Sequence, residues 1–289
     1  MNRRLFSSPR ATVKVLKTVW RHPGNSGGSA RAIARLLWAE LRARVTGKPV
    51  LVGVGADSRI WAYLHQGGSW RAVRSPLPDY EEMSFWRTIL RPDDWFMDVG
   101  AHVGLYSLIA LECGAKVICV EPQAEMMAQL EANLRLNDAV GELHTVALAD
   151  APGELQLAGH PDPARRSLVD SGSPYDGFTV EVRTLDRILG ERSLRGLKID
   201  VEGWERLVLE GGARALEARR IDAIQLEWND CSETTLGEGR DTVARLLISH
   251  GYRLFRPVGG EPQELDTFAD GTDVFALSPS LCSELGLIA

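Results

Sequence analysis

The stretch FMDVGAHVG, residues 96–104, decides the fold. An apolar run ends at Asp98 and then breaks at Gly100 and Gly104, with His102 between them. Near-continuous apolar runs are the mark of strands buried on both faces. A glycine bend at the carboxyl end of such a strand is where an α/β sheet holds a nucleotide. Gly100 lets the chain turn tightly, and Gly104 lets the first helix pack close.

Outward from this stretch the chain alternates. WFMDV (95–99) leads to helix-like GLYSLIALEC, strand-like KVICV, a helical stretch at 123–136 and ELHTVAL. GLKIDV, a helix over 203–217, DAIQLEW, a helix over 240–250, YRLFRP and TDVFALS complete the series. Short apolar strands alternating with amphipathic helices predict an α/β fold, a doubly wound and mostly parallel sheet. Only a loop separates the last two strands, so the final strand is expected to pair antiparallel. Segment 158–177, AGHPDPARRSLVDSGSPYDG, is rich in Gly, Pro and Ser and reads as a lid-like insertion.

Upstream, 11–20 reads as a short helix, 21–29 as a turn-rich linker, and 49–75 as short β pieces. Over 30–46, Ile33, Leu36, Leu37, Leu41 and Val45 recur at three- and four-residue steps. They form the apolar stripe of a predicted helix, with Arg31, Arg35 and Arg42 off it. Residues 79–91 read as a helix leading into the main domain. The expected division is a small basic N-terminal subdomain, 1–78, and a main domain, 79–289.

The net charge of −6 hides an asymmetry. Residues 1–50 hold 11 Lys and Arg against one acid, Glu40, so +10 sits there and −16 on the remainder. Such an arm can meet nucleic acid, anionic lipid or a phosphorylated substrate. It can equally dock on the acidic body of its own chain or of a homodimer partner. No apolar stretch approaches the roughly 20 residues of a membrane span, and no secretory signal pattern follows the N-terminus. The four cysteines (Cys113, Cys119, Cys231, Cys282) have no metal-ligand spacing, and two lie in apolar segments as small hydrophobes. A cytoplasmic setting is the simplest expectation.

A dinucleotide site calls for G-x-G-x-x-G, but this turn reads G-A-H-V-G. Asp98 beside it is unfavourable for a pyrophosphate and favourable for an ammonium or sulfonium, both of which S-adenosylmethionine carries. The second strand ends at Glu121, an acid placed to accept from ribose hydroxyls, and Pro122 starts the next helix.

DVGAHVG (98–104), VEP (120–122), Asn133, Asn137, TLD (184–186), LKIDVEGWE (197–205) and Glu227 together resemble the FkbM-type methyltransferases. The resemblance covers roughly residues 79–230. Its most specific piece is K-x-D-x-E-G: Lys198, Asp200, Glu202 and Gly203. Most relatives carry Asn where this chain has His102. The resemblance implies a class I (Rossmann-like) methyltransferase fold and S-adenosylmethionine as methyl donor. It also implies O-methylation of a hydroxyl on a sugar or a glycosylated or polyketide-type natural product. The expected cofactor contacts are Asp98, Gly100, Ala101, His102, Gly104, Glu121, Pro122 and Asp200.

Methyl transfer to a hydroxyl is an in-line displacement that depends on alignment and on removal of the hydroxyl proton. Asp200 and Glu202, just before a glycine turn, and Glu227, at the end of the next strand, can face one crevice. With His102 they are the candidate catalytic residues. Helix capping is the alternative role for Glu202. Asp200, Glu227 and Asn229 also offer oxygen ligands of the kind that suit Mg²⁺. Arg165, Arg166, Tyr175, Asp176 and His160 fall in the insertion. His144, His250, Thr184 and Asp186 read as structural, and Trp204 and Trp228 read as packing rather than sugar stacking. A nicotinamide dehydrogenase is disfavoured by the missing glycine. A nucleic-acid methyltransferase is disfavoured by the acidic body and by the absence of an Asp/Asn-Pro-Pro-aromatic run or a Pro-Cys nucleophile. A non-catalytic module that binds S-adenosylmethionine is the other alternative.

Overall fold

The computed structural model describes residues 9–64, 66–157, 177–227, 239–265 and 273–287. Helices α1 (Pro9–Arg21) and α2 (Ser29–Thr46) precede the hairpin β1 (Val50–Val54) and β2 (Ser58–Ala62). Helices α3 (Gly67–Arg74) and α4 (Tyr80–Ile89) lead into β3 (Trp95–Val99), α5 (Leu105–Glu112), β4 (Lys116–Val120), α6 (Ala124–Leu136) and β5 (Glu142–His144). A three-stranded sheet follows, of β6 (Ala147–Leu148), β7 (Gly153–Leu157) and β8 (Phe178–Arg183), in the order β6-β8-β7. The chain then runs α7 (Leu185–Leu189), β9 (Leu194–Ile199), α8 (Glu205–Glu210), α9 (Ala213–Glu217) and β10 (Ile221–Leu226). It closes with α10 (Arg240–Ser249), β11 (Arg253–Val258), β12 (Glu261–Glu264), β13 (Val274–Leu277) and α11 (Pro279–Glu284).

The main sheet has eight strands in the order β12-β11-β13-β10-β9-β3-β4-β5. From β5 to β10 neighbours pair in parallel, while β13 pairs antiparallel with both β10 and β11. The doubly wound, mostly parallel sheet with a final antiparallel strand therefore forms as predicted. Strand order reverses beside β3, between β4 and β9, which makes the carboxyl ends of β3 and β9 the switch point. The sheet divides two apolar clusters. Phe96, Val117 and Cys119 pack with α4 and α5 on one face. Met97, Val99, Ile118 and Val120 pack with α7 to α10 on the other. The period-two alternation puts Asp98 on the same face as Phe96, toward α5.

Residues 9–78 share the first of these clusters: Val19, Leu36, Val52, Ile60 and Trp70 belong to it together with Leu108 and Leu130. Polar clamps add to this. The Glu112 carboxylate accepts from the N–H groups of Ala56, Asp57 and Ser58 at 2.8–2.9 Å, holding the hairpin turn. Asn133 accepts from the Trp61 N–H at 3.0 Å and donates to the Val103 carbonyl at 2.9 Å. Asn137 bonds both backbone groups of Arg59. The two asparagines thus satisfy the outer edge of β2, which no strand covers.

Local readings are adjusted in three places. The apolar stripe of α2 does not turn inward. Leu36 is buried, but Leu37, Leu41 and Val45 are 41, 63 and 76% exposed. The buried face is Ala32, Leu36, Ala39 and Ala43, and its alanines let α1 and α3 approach closely. ELHTVAL splits between β5 and β6, which lie in different sheets. The helix over 203–217 breaks into α8 and α9 at Gly211–Gly212, where a Cβ on Gly211 would lie 2.1 Å from the Ala149 carbonyl oxygen.

Candidate active site

The glycine bend is set by backbone crowding. Gly100 has φ +77°, and a Cβ there would stand 1.9 Å from the Asp200 carbonyl oxygen, so no side chain fits. The Gly100 and Ala101 N–H groups both donate to the Val120 carbonyl, at 2.9 and 3.1 Å. Gly104, at φ +85°, precedes α5 and faces Leu130 of α6. The bend thus ties together the ends of β3, β4 and β9.

Asp98 is 1% exposed. One oxygen accepts from the Ser107 N–H at 3.1 Å and from its hydroxyl at 2.7 Å. The other, Oδ1, has no hydrogen-bond partner and lies 4.0 Å from the Lys198 ammonium. Burial pushes the Asp98 pKa up, against the pull of Lys198. Glu121 is also buried, and its two oxygens accept from the N–H groups of His102 and Gln123, each at 2.9 Å. Burial outweighs these bonds and raises its pKa to about 7. The His102 ring packs on the glycine pair opening α3: a Cβ on Gly68 would lie 2.5 Å from it.

The ends of β9 and β10 gather the remaining acids. Carboxylate oxygens of Asp200, Glu202 and Glu227 lie within 4.8 Å of one another. The buried Lys198 ammonium donates to Asp200 at 2.9 Å and sits 4.8 Å from the Tyr106 ring centre. Burial would raise the Asp200 pKa, but Lys198 holds it below the ordinary aspartate value. Glu227, hydrogen-bonded to Asp200, is pushed up to about 9 by burial and by the charges of Asp200 and Glu202. Near neutral pH the pair is an ionised Asp200 accepting from a protonated Glu227. Helix α8 starts at Glu205 with no side-chain cap bond at its N-cap Trp204, and the Glu205 carboxylate braces the preceding turn by accepting from the Gly203 N–H at 3.1 Å and the Val201 N–H at 3.4 Å. Glu202 itself adopts φ +54° beside the acid pair.

A layer of buried polar groups supports this floor. Gln225 accepts from the Trp86 indole N–H and donates to the Tyr106 hydroxyl at 3.1 Å and to Asp273. The Tyr106 hydroxyl in turn donates to Asp79 at 3.2 Å. Asp98, Glu121, Asp200, Glu202 and Glu227, with Tyr106 and Lys198, line a cavity of about 490 Å³, large enough for a nucleoside-sized ligand with room beside it.

Every predicted site residue within the described segments lines this cavity except Gly104, which shapes the bend from behind. Asn229, Trp228 and the insertion residues Arg165, Arg166, Tyr175, Asp176 and His160 lie outside the described residues, so of the expected Asp200–Glu227–Asn229 ligand set only the two acids fall within them. Trp204 is buried in a small cluster with Val180 and Val182, Thr184 caps α7 by accepting from the Arg187 N–H, and Asp186 accepts from the Ala215 N–H. Sequence reasoning missed α3. Gly67, Gly68, Arg71 and Arg74 form one wall, and Arg71 pairs with Asp79. The Arg74 Nε is buried without a hydrogen-bond partner, and burial together with Arg71 lowers its pKa. The available signal was a glycine pair followed by two arginines three apart, one helical turn, in GGSWRAVR.

A doubly wound sheet of this strand order, with an acid-lined cavity at its switch point, has the class I methyltransferase architecture. Residues 98–254, more than half of the chain, match the methyltransferase FkbM domain, and the chain belongs to that family. It is 31% identical over 198 residues to the 31-O-demethyl-FK506 methyltransferase FkbM of Streptomyces tacrolimicus, covering 56% of this chain and 74% of that protein. It is 27% identical over 242 residues to the antimetabolite synthetase AmbE of Pseudomonas aeruginosa, where the match spans 68% of this chain and only 11% of AmbE. Among solved structures, the Pyrococcus abyssi tRNA (uracil-54, C5)-methyltransferase with bound S-adenosyl-L-homocysteine aligns at TM-score 0.45 and 11% identity, covering 79% of this chain and 44% of that one.

Proposed function

We propose that this methyltransferase transfers a methyl group from S-adenosylmethionine to a hydroxyl of a sugar or of a glycosylated or polyketide-type natural product. The observation that carries the reading is the buried Asp98, whose Oδ1 accepts no hydrogen bond and has only the Lys198 ammonium 4.0 Å away, at the floor of a cavity also lined by the ionised Asp200. Such a floor suits a ligand with a cationic end. FkbM, by its name a methyltransferase acting on 31-O-demethyl-FK506, supports an oxygen acceptor.

When bound, S-adenosylmethionine supplies an electrophilic methyl group on a good leaving group. Asp98 and Asp200 are assigned to its cationic end, and Glu121 to the ribose hydroxyls, because each carboxylate oxygen retains a lone pair beyond its backbone N–H. Gly100, Ala101, His102 and Pro122 shape the rest of that wall. The carboxylate needs a cation. Lys198 is committed to Asp200 and Asp98, and Arg71 to Asp79, which leaves Arg74 for it. Asp200 is anchored and weakly basic, and Glu227 already holds a proton. Glu202 beside them is therefore assigned the acceptor's hydroxyl proton.

Mg²⁺ is the second reading, favoured by the close grouping of Asp200, Glu202 and Glu227. It would have to displace both the Lys198 ammonium from Asp200 and the proton from Glu227, so we favour transfer without a metal. The test is turnover of a panel of sugar and polyketide alcohols followed by mass spectrometry. Methylated product should form and survive chelator treatment, and Glu202→Gln should lower kcat about a hundredfold or more. S-adenosylhomocysteine affinity should not change. A full rate in Glu202→Gln moves the proton acceptor elsewhere. Activity lost to chelator and restored by Mg²⁺ favours the metal. Cofactor binding without turnover of any alcohol leaves a binding module.

A further inference from the structure

The N-terminal helices present a surface that the cavity does not explain. On α2, Leu37, Trp38, Leu41 and Val45 are 41, 53, 63 and 76% exposed and fall at three- and four-residue spacings, so they form one outward apolar strip. Exposed Arg31 and Arg42 border one edge of the strip by helical spacing, and exposed Arg44 borders the other. The Arg42 guanidinium lies 5.4 Å from the Trp38 ring centre. Beside it, α1 exposes Arg10, Val13, Lys14, Lys17, Trp20 and Arg21. From Pro9 to Ala56 the sole acid is Glu40, which is buried and paired with Arg44.

We propose that this face binds the anionic headgroup surface of a phospholipid bilayer, with the α2 strip seated at the interface. Three features select this occupant. An apolar strip with tryptophan, flanked by cations and free of exposed acids, matches the chemistry of an in-plane interfacial helix. A nucleic-acid backbone would answer the cations but leave Leu41 and Val45 in water. A second copy joined strip to strip would bring the arginines of both chains together. The other exposed large apolar residues among the described ones, such as Val140, Ile248 and Val258, lie on separate elements and offer no matching strip on the acidic body. Because α2 packs on α3, which walls the cavity, binding there would hold the site close to the membrane surface.

Co-sedimentation of the full chain with phosphatidylcholine vesicles, with and without phosphatidylglycerol, tests this. The protein should pellet with the anionic vesicles, and raised salt should release it. Replacing Arg31 and Arg42 with Gln should lower the partition coefficient about tenfold. Leu37→Gln with Leu41→Gln should lower it by a similar factor. Thermal melts and S-adenosylhomocysteine affinity should match those of the parent in both variants, which keeps a failure of this proposal separate from a failure of the enzymatic one. No pelleting with either vesicle overturns the proposal, as does pelleting that ignores phosphatidylglycerol. A concentration-dependent dimer in light scattering that the same substitutions abolish, with no vesicle binding, assigns the face to a second copy instead.

Discussion

The two halves of the cavity treat their carboxylates differently. At the ends of β3 and β4, Asp98 and Glu121 are fixed by backbone N–H groups and a serine hydroxyl. At the ends of β9 and β10, Asp200 bonds both to Glu227 and to Lys198. The first half is pinned by the local backbone, and burial raises Glu121 to about 7. The second is a coupled titrating group, the kind of arrangement found where protons move. The difference separates carboxylates fixed by the backbone from carboxylates that share a proton.

The rigidity of the first half is the easiest part of this contrast to break. Gly100→Ala places a methyl group against the Asp200 backbone at a positive φ, and we expect a loss of about 3 kcal/mol or more in denaturant unfolding. Gly104→Ala, whose Cβ would meet the Leu130 side chain at 3.1 Å, should cost about 1–2 kcal/mol. If the two cost the same, the bend is not pinned by Asp200.

Lys198 joins the halves, being 2.9 Å from Asp200 and 4.0 Å from Asp98. Lys198→Met leaves the buried Asp98 and the half-buried Asp200 without their cation and should cost about 3 kcal/mol at neutral pH, with partial recovery in acid as the acids protonate. A loss that does not depend on pH would show that Lys198 acts through packing alone.

A pH series sharpens the contrast within the second half. The native state keeps the Glu227 proton up to about pH 9, whereas the unfolded chain releases it near the ordinary glutamate value. Between those values the native state binds more protons, so this group's contribution to stability falls as pH rises. Glu227→Gln stays neutral throughout. Its melting temperature relative to the parent should therefore rise steadily from pH 5 toward pH 9. A constant difference across that range would place the Glu227 proton elsewhere.

The sheet was legible because buried parallel strands leave apolar runs that side-chain detail cannot disguise. The bend was legible because Gly100 answers a local backbone need. The facing of α2 was not. Its alanines and its larger apolar residues both repeat at helical spacing, and only the closeness of α1 and α3 chooses the small face. The α3 wall was missed for a related reason: nothing in GGSWRAVR says that the chain returns to the switch point some thirty residues before the strand it serves. That Glu202 stands outside the helix was also beyond sequence, because it depends on the positive φ at Glu202 and on α8 beginning only at Glu205.

The measurement closest to the central claim is calorimetric titration of the purified chain with S-adenosylhomocysteine, in parallel with Asp98→Ala. Saturable one-to-one binding that weakens at least tenfold in a folded Asp98→Ala protein is the predicted result. Absence of binding, or equal affinity in both proteins, would contradict the assignment of this cavity to a cationic methyl donor.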